Sequence, residues 1–272
     1  PKVLGWMLAT GSAATLLAYG LIVTTWRAFD LDYNTVYMTA GLTTAVVAIL
    51  CLTLYPQFES PTPQVKKFVL RRRYWLYYAL QFMAGARRQI FVVFASFMMV
   101  ERFGFEVHEI TSLFLLTLVV NMVLAPVFGW AVSRFGERRA LVFEYSGLAL
   151  VFAAYGGLYA FGWGVAVAAT LYVLDHIFFG LALALKTYLQ KIGDPADMAP
   201  TAAVAFTINH IAAVFLPAAL GYLWLRAPEA VFFLAAAMAC TSLALSLLIP
   251  RNPEPGNETI FARFRREPAP AE

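Results

Sequence analysis

The feature that most constrains this chain is a series of eight apolar runs, each long enough to cross a bilayer as a helix. At a rise of ~1.5 Å per residue, about 20 mostly apolar residues span the hydrocarbon. Runs of that length occupy 3–26, 33–55, 74–100, 109–133, 139–161, 164–190, 199–225 and 228–249. With 61% of its 272 residues hydrophobic and 13% charged, a fold in water would leave large apolar patches uncovered. In lipid every backbone polar group must be satisfied within the segment, which leaves helices as the solution for runs of this length. The expected fold is therefore an all-α membrane protein, a polytopic helical bundle of about eight transmembrane helices.

Polar punctuation separates the runs. Arg27, Asp30 and Asp32 fall between the first two, and the stretch 56–73 is the longest polar connection. Gly193-Asp194-Pro195 signals a stop and a new start. The segment 251–272, rich in proline and charge, is expected to be a disordered tail. With the first residue inside and the chain alternating, fifteen of the twenty basic residues fall on the inner side, three outside, and Arg87 and Arg88 within a span. This asymmetry places both ends in the cytoplasm of a bacterial inner (plasma) membrane protein. It also explains the net charge of +4 without a nucleic-acid partner. Cys51 and Cys240 lie inside apolar runs, which excludes a disulfide framework or thiolate metal site. No Walker loop, dinucleotide fingerprint or nucleophile elbow is present, so neither an enzyme nor a cofactor is expected.

Ionisable groups deep in a span cost a few kcal/mol and require a reason. Arg87 and Arg88 lie about 13 residues into the third span, Asp175 and His176 about 11 into the sixth, and Asn209 and His210 about 10 into the seventh. Three helices thus bring polar pairs to one depth, where they line a solute or proton site or lock the bundle together. Arg87, Arg88, Gln81 and Asn209 are the substrate-binding candidates; Asp175, His176 and His210 are the proton-coupling candidates. Neighbours on a helix point ~100° apart, so one arginine faces a cavity while the other packs against a neighbouring helix. Asp175 is the only acid at their depth, which leaves one cation for an anionic solute. Glu144, nearer the inner face, is expected to pair with Arg134 or Arg138 in a gating role. Asn121 is expected to bond between helices, Lys186 and Lys191 to snorkel at the inner interface, and Gly156, Gly157 and Gly180 to mark close helix packing.

The segment Gly129-Trp-Ala-Val-Ser-Arg-Phe-Gly-Glu-Arg-Arg-Ala-Leu141 resembles the G-x-x-x-D-R-x-G-R-R loop of the major facilitator superfamily. Gly129, Arg134, Gly136 and Arg138 match, and Arg139 follows. Ser133 replaces the usual aspartate and Glu137 the first of the paired basic residues. The resemblance implies a gating loop at Gly129, Arg134, Gly136, Arg138 and Arg139, with Glu144 beside it. It maps the eight spans onto the fifth to twelfth helices of that fold. Residues 1–55 then become the last two helices of an N-terminal half-bundle, 56–73 the central cytoplasmic loop, and 74–250 a six-helix C-terminal bundle. The remaining N-terminal helices are expected upstream in the intact protein. A major-facilitator-like secondary transporter, a symporter or antiporter for a small polar or anionic solute, is the function this implies. An accessory or assembly subunit built on the same fold is the alternative.

Overall fold

The computed structural model describes residues 1–29, 32–54, 62–63 and 70–262. Most of the central loop, and the tail from 263 onward, lie outside the described residues.

The eight runs are eight helical rods long and apolar enough to cross a membrane, and no strand occurs among the described residues. The first two are α1 (Lys2–Phe29) and α2 (Tyr33–Leu54). The third is broken: α3 (Trp75–Ile90) passes through a π turn, Phe91–Ala95, into α4 (Ser96–Phe103). Next come α5 (Val107–Phe135) and α6 (Glu137–Phe161). The sixth rod is also broken, α7 (Val165–Phe179) continuing through a 3₁₀ turn, Gly180–Ala182, into α8 (Leu183–Ile192). The bundle closes with α9 (Met198–Trp224) and α10 (Pro228–Ser246).

Local chemistry sets the ends. A reciprocal capping box between Glu106 and Glu109 starts α5, and Pro228 starts α10 with its fixed φ. A single residue, Gly136, joins α5 to α6 at φ 83° and ψ 163°, a conformation open essentially to glycine alone.

The core is assembled on α6, which packs along α10, and on α3, which packs along α9, while α10 also touches α3. Tyr155 stacks on Phe232 at 5.1 Å and Phe94 on Trp224 at 5.3 Å, aromatic contacts that lock α6 to α10 and the third rod to α9. The backbones of α3 and α9 come so close at Gly85 that a Cβ there would sit 2.4 Å from the Asn209 carbonyl oxygen. Likewise α1 crosses α5 at Gly5 and Gly129, whose added side chains would meet the opposite backbone. No described residue of α2 is buried.

Polar ties fasten the two ends of the bundle. At the basic end Arg71 donates twice to Asp197 (2.9 and 3.1 Å), Arg73 pairs with Asp194, and Lys191 reaches the buried Glu137 at 2.9 Å. At the other end Trp224 Nε1 donates to Glu101 (2.8 Å), and Arg102 donates to the Leu158 carbonyl (2.8 Å) while lying over the Tyr159 ring.

The beginning of the tail departs from the expectation of disorder. Asn257, Glu258 and Thr259 are buried, the Tyr188 hydroxyl donates to the Glu258 carbonyl, and the Ile260 N–H donates to the Leu248 carbonyl (3.0 Å). Composition signalled disorder there because it does not register backbone groups that find partners on the bundle.

Candidate functional site

Between α1, α3, α5, α7 and α9 lies a cavity of about 580 Å³, well within the size of small-molecule sites. From α3 it receives Gln81 and Arg88; from α7, Asp175 and His176; from α8, Lys186; from α9, Asn209. The near sides are completed by Ser12 and Thr15 of α1 and by Thr117 and Asn121 of α5. Phe91 and Gly180, which belong to the two helix interruptions, also line it. Both broken rods therefore carry their irregular backbone at the cavity, the setting in which interrupted helices are tolerated at membrane depth.

The paired residues divide between this cavity and the protein interior. Arg88 is exposed and lines the cavity with its guanidinium 5.7 Å from the Phe179 ring centroid. Arg87, one residue earlier, is 1% exposed. Its Nε donates to the Met83 carbonyl (3.3 Å) and its guanidinium lies 4.6 Å from the Tyr145 ring centroid. Neither terminal nitrogen has a hydrogen-bond partner among the described residues.

Two carboxylates share this interior with Arg87. Glu144 of α6 is fully buried and Asp175 of α7 nearly so. Both lie in the electrostatic field of Arg87, and Glu144 also in that of Asp175. Neither Glu144 oxygen, nor Oδ1 of Asp175, has a hydrogen-bond partner among the described residues. Glu144 is thus turned inward toward Arg87, not onto Arg134 or Arg138 as expected. Its place in the span measured depth but not direction, and its direction is toward α3 and α7. The cluster holds one cation and two acids, so the expectation that Asp175 alone balances the arginines is also corrected. Fully ionised it would carry one net negative charge, and one proton bound by either carboxyl makes it neutral. Asp175 belongs to both places, one side in the cluster and one on the cavity wall.

Of the remaining candidates, His176 faces the cavity, edge-on to Phe91 at 5.0 Å. Its Nδ1 is 3.2 Å from the Tyr172 carbonyl, a contact that requires the proton on Nδ1 and leaves Nε2 as the acceptor of the neutral ring. Asn209 donates to the Gln81 carbonyl (3.2 Å) at the α3–α9 crossing, so it holds the helices together as well as lining the cavity. The Gln81 amide donates to the Tyr77 hydroxyl (3.1 Å). His210 is exposed, stacked on Phe206 at 3.9 Å with Nδ1 2.9 Å from the Phe206 carbonyl, and is absent from the cavity wall. Asn209 and His210 share a depth, but the ~100° step between them sends one to the cavity and the other away.

The loop residues have separate surroundings. Gly129 makes the α1 crossing and Gly136 the turn, while Arg134 is exposed. Arg138 and Arg139 line a second recess, at the basic end. Lys186, expected at the interface, is a second cavity cation, and Lys191 is paired with Glu137. Lys186 was legible only as a basic residue about 20 positions into its span. The 3₁₀ turn that ends four residues earlier, at Ala182, shifts its direction.

No protein-family model matches the chain, and a comparison with curated proteins gives no match. Function therefore has to be argued from the site itself.

Proposed function

We propose that the protein is a secondary active transporter of the bacterial inner membrane, both described ends cytoplasmic, which moves a small anionic solute by alternating access with proton coupling. The observation that carries this reading is the cavity at mid-depth, with Arg88 and Lys186 as cations and no acid on its wall except Asp175 among the described residues. A carboxylate-, sulfonate- or phosphate-bearing solute would accept from the Arg88 guanidinium in its planar, two-pronged geometry and meet Lys186 as a point charge. Gln81, Asn121 and Asn209 offer amide donors and acceptors for the uncharged part of the solute.

The proton half of the mechanism falls to Asp175 and Glu144. Asp175 joins the buried cluster to the cavity wall, so where the cluster's proton resides changes the charge presented to the solute. His176, beside it on the wall and within the field of Arg88, is placed to exchange that proton with the cavity. The likeness of the Gly129–Leu141 loop to the major facilitator signature agrees with such a transporter, and Gly136 supplies its tight turn.

The alternative, an accessory subunit whose charges lock the bundle, is favoured by the closed Arg87 cluster alone. The test is uptake into proteoliposomes of a panel of radiolabelled mono- and dicarboxylates, sulfonates and phosphate esters. Arg88→Gln is expected to insert and purify normally but to lower uptake by about 10- to 100-fold, the worth of one charge-assisted hydrogen bond. No uptake of any panel member by the unaltered protein would count for the accessory role, and undiminished uptake by Arg88→Gln would exclude Arg88 as the ligand of the anion.

A further inference from the structure

At the basic end of the bundle a second recess, of about 550 Å³, opens where α5 turns into α6. Arg138 and Arg139 from the first turn of α6 and Arg251 from beyond α10 line it, with Ser146 on its deeper side. Three other basic residues at this end are paired with carboxylates, Arg71 with Asp197, Arg73 with Asp194 and Asp197, and Lys191 with Glu137, while Arg134 beside the turn is exposed. The side chains of Arg138, Arg139 and Arg251 have no ion pair or hydrogen bond among the described residues. Three guanidiniums facing one recess repel each other unless an anion joins them.

The remaining walls describe what that anion is attached to. Phe135 and Phe143 line the recess and are 49% and 63% exposed. Along α6, Arg139, Phe143 and Leu150 fall four and seven residues apart, so one face runs from charge to exposed hydrocarbon, Leu150 being 72% exposed. No side chain caps the start of α6, which leaves its first N–H groups directed toward the same end. A free phosphate ester would use the arginines and not the aromatic wall. A lipid uses both.

We propose that this recess binds the phosphate headgroup of an anionic phospholipid of the adjoining leaflet, with its acyl chains along Phe143 and Leu150. The proposal rests on a membrane placement of the bundle and not on the transport reading. Three cations are best matched by a headgroup with two phosphates, and basic recesses of this kind between membrane helices suit such lipids.

The full chain, purified in neutral detergent and placed in phosphatidylcholine nanodiscs, can be titrated with diphosphatidylglycerol, phosphatidylglycerol or inorganic phosphate. Native mass spectrometry then counts the retained lipid. Diphosphatidylglycerol is expected to be retained about tenfold over phosphatidylcholine. That preference is expected to vanish in Arg138→Gln/Arg139→Gln/Arg251→Gln and to survive in the corresponding triple lysine variant. Arg251→Gln alone lies outside the helices, so it reads the site without disturbing the α5–α6 turn; it should lower retention several-fold. Equal retention of diphosphatidylglycerol and phosphatidylcholine, or unchanged retention in Arg251→Gln, would overturn the proposal. Displacement of the lipid by millimolar inorganic phosphate alone would also overturn it, and would make the recess a site for a soluble anion.

Discussion

Arg87 and Arg88 are adjacent in the chain and occupy opposite kinds of place. Arg88 lines a cavity that holds two cations and one acid, whereas Arg87 is enclosed with Glu144 and Asp175 and has no access to that cavity. The enclosed cluster must reach neutrality with what it contains, two carboxyls and the protons they bind. The cavity can be neutralised from outside, by a solute. One helical step therefore separates a charge that serves the fold from a charge available to a ligand, and Asp175 is the residue through which the two places communicate.

The largest effect that would test this division is on folding. Arg87→Leu leaves Glu144 and Asp175 buried without their cation, and removing one partner from a buried ionic cluster costs about 3–5 kcal/mol. The variant is expected to give little monodisperse protein and a much lower unfolding temperature, unlike Arg88→Gln. Replacing all three, Arg87→Leu with Glu144→Leu and Asp175→Leu, should recover most of that stability, because the charges vanish together. If the triple variant is no better than the single one, Arg87 acts through Tyr145 packing and not through charge.

A smaller, functional effect separates the two acids. Glu144 lies in the cluster only, whereas Asp175 lies in both places. Glu144→Gln is expected to abolish accumulation driven by a pH gradient while solute exchange across equilibrated membranes keeps its KM. Asp175→Asn should abolish accumulation and also change the KM of exchange by several-fold, since it removes the only acid among the described residues of the cavity wall. Survival of gradient-driven accumulation in both variants would move the coupling proton elsewhere.

The sequence carried the number and extent of the spans, because length and hydropathy are set by the bilayer. It also carried the level along the bundle at which Arg88, Asp175, His176 and Asn209 meet on one cavity wall, because helical rise converts position directly to height along a rod. Direction was the missing coordinate. In a soluble helix the polar face announces itself by periodicity, but a span apolar on every side offers none. Hence position alone points Glu144 to the loop arginines and Lys186 to the interface, and it divides Arg87 from Arg88 without telling which of them faces the cavity. The π turn at Phe91–Ala95 and the 3₁₀ turn at Gly180–Ala182 compounded this, since each rotates the residues after it and neither contains a proline to reveal it. The recess at Arg251 was hidden for a different reason. Its third arginine comes from a segment whose composition resembles disorder, and only the fold brings it beside Arg138 and Arg139.

The smallest effect is expected at His210, and it sharpens the comparison from outside. At equal depth, His176 lies on the cavity wall beside Asp175, and His210 is exposed on the far side of α9 with its ring against Phe206. His176→Gln keeps a polar side chain but removes the imidazole from the cavity wall, so it should slow proton-driven uptake without blocking exchange. His210→Gln touches neither the cluster nor the cavity and should change stability by no more than about 0.5 kcal/mol, as exposed substitutions do. Initial uptake rates measured across a series of imposed pH gradients distinguish the two. A loss in His210→Gln equal to that in His176→Gln would mean that depth alone, and not facing, selects the residues that handle the proton.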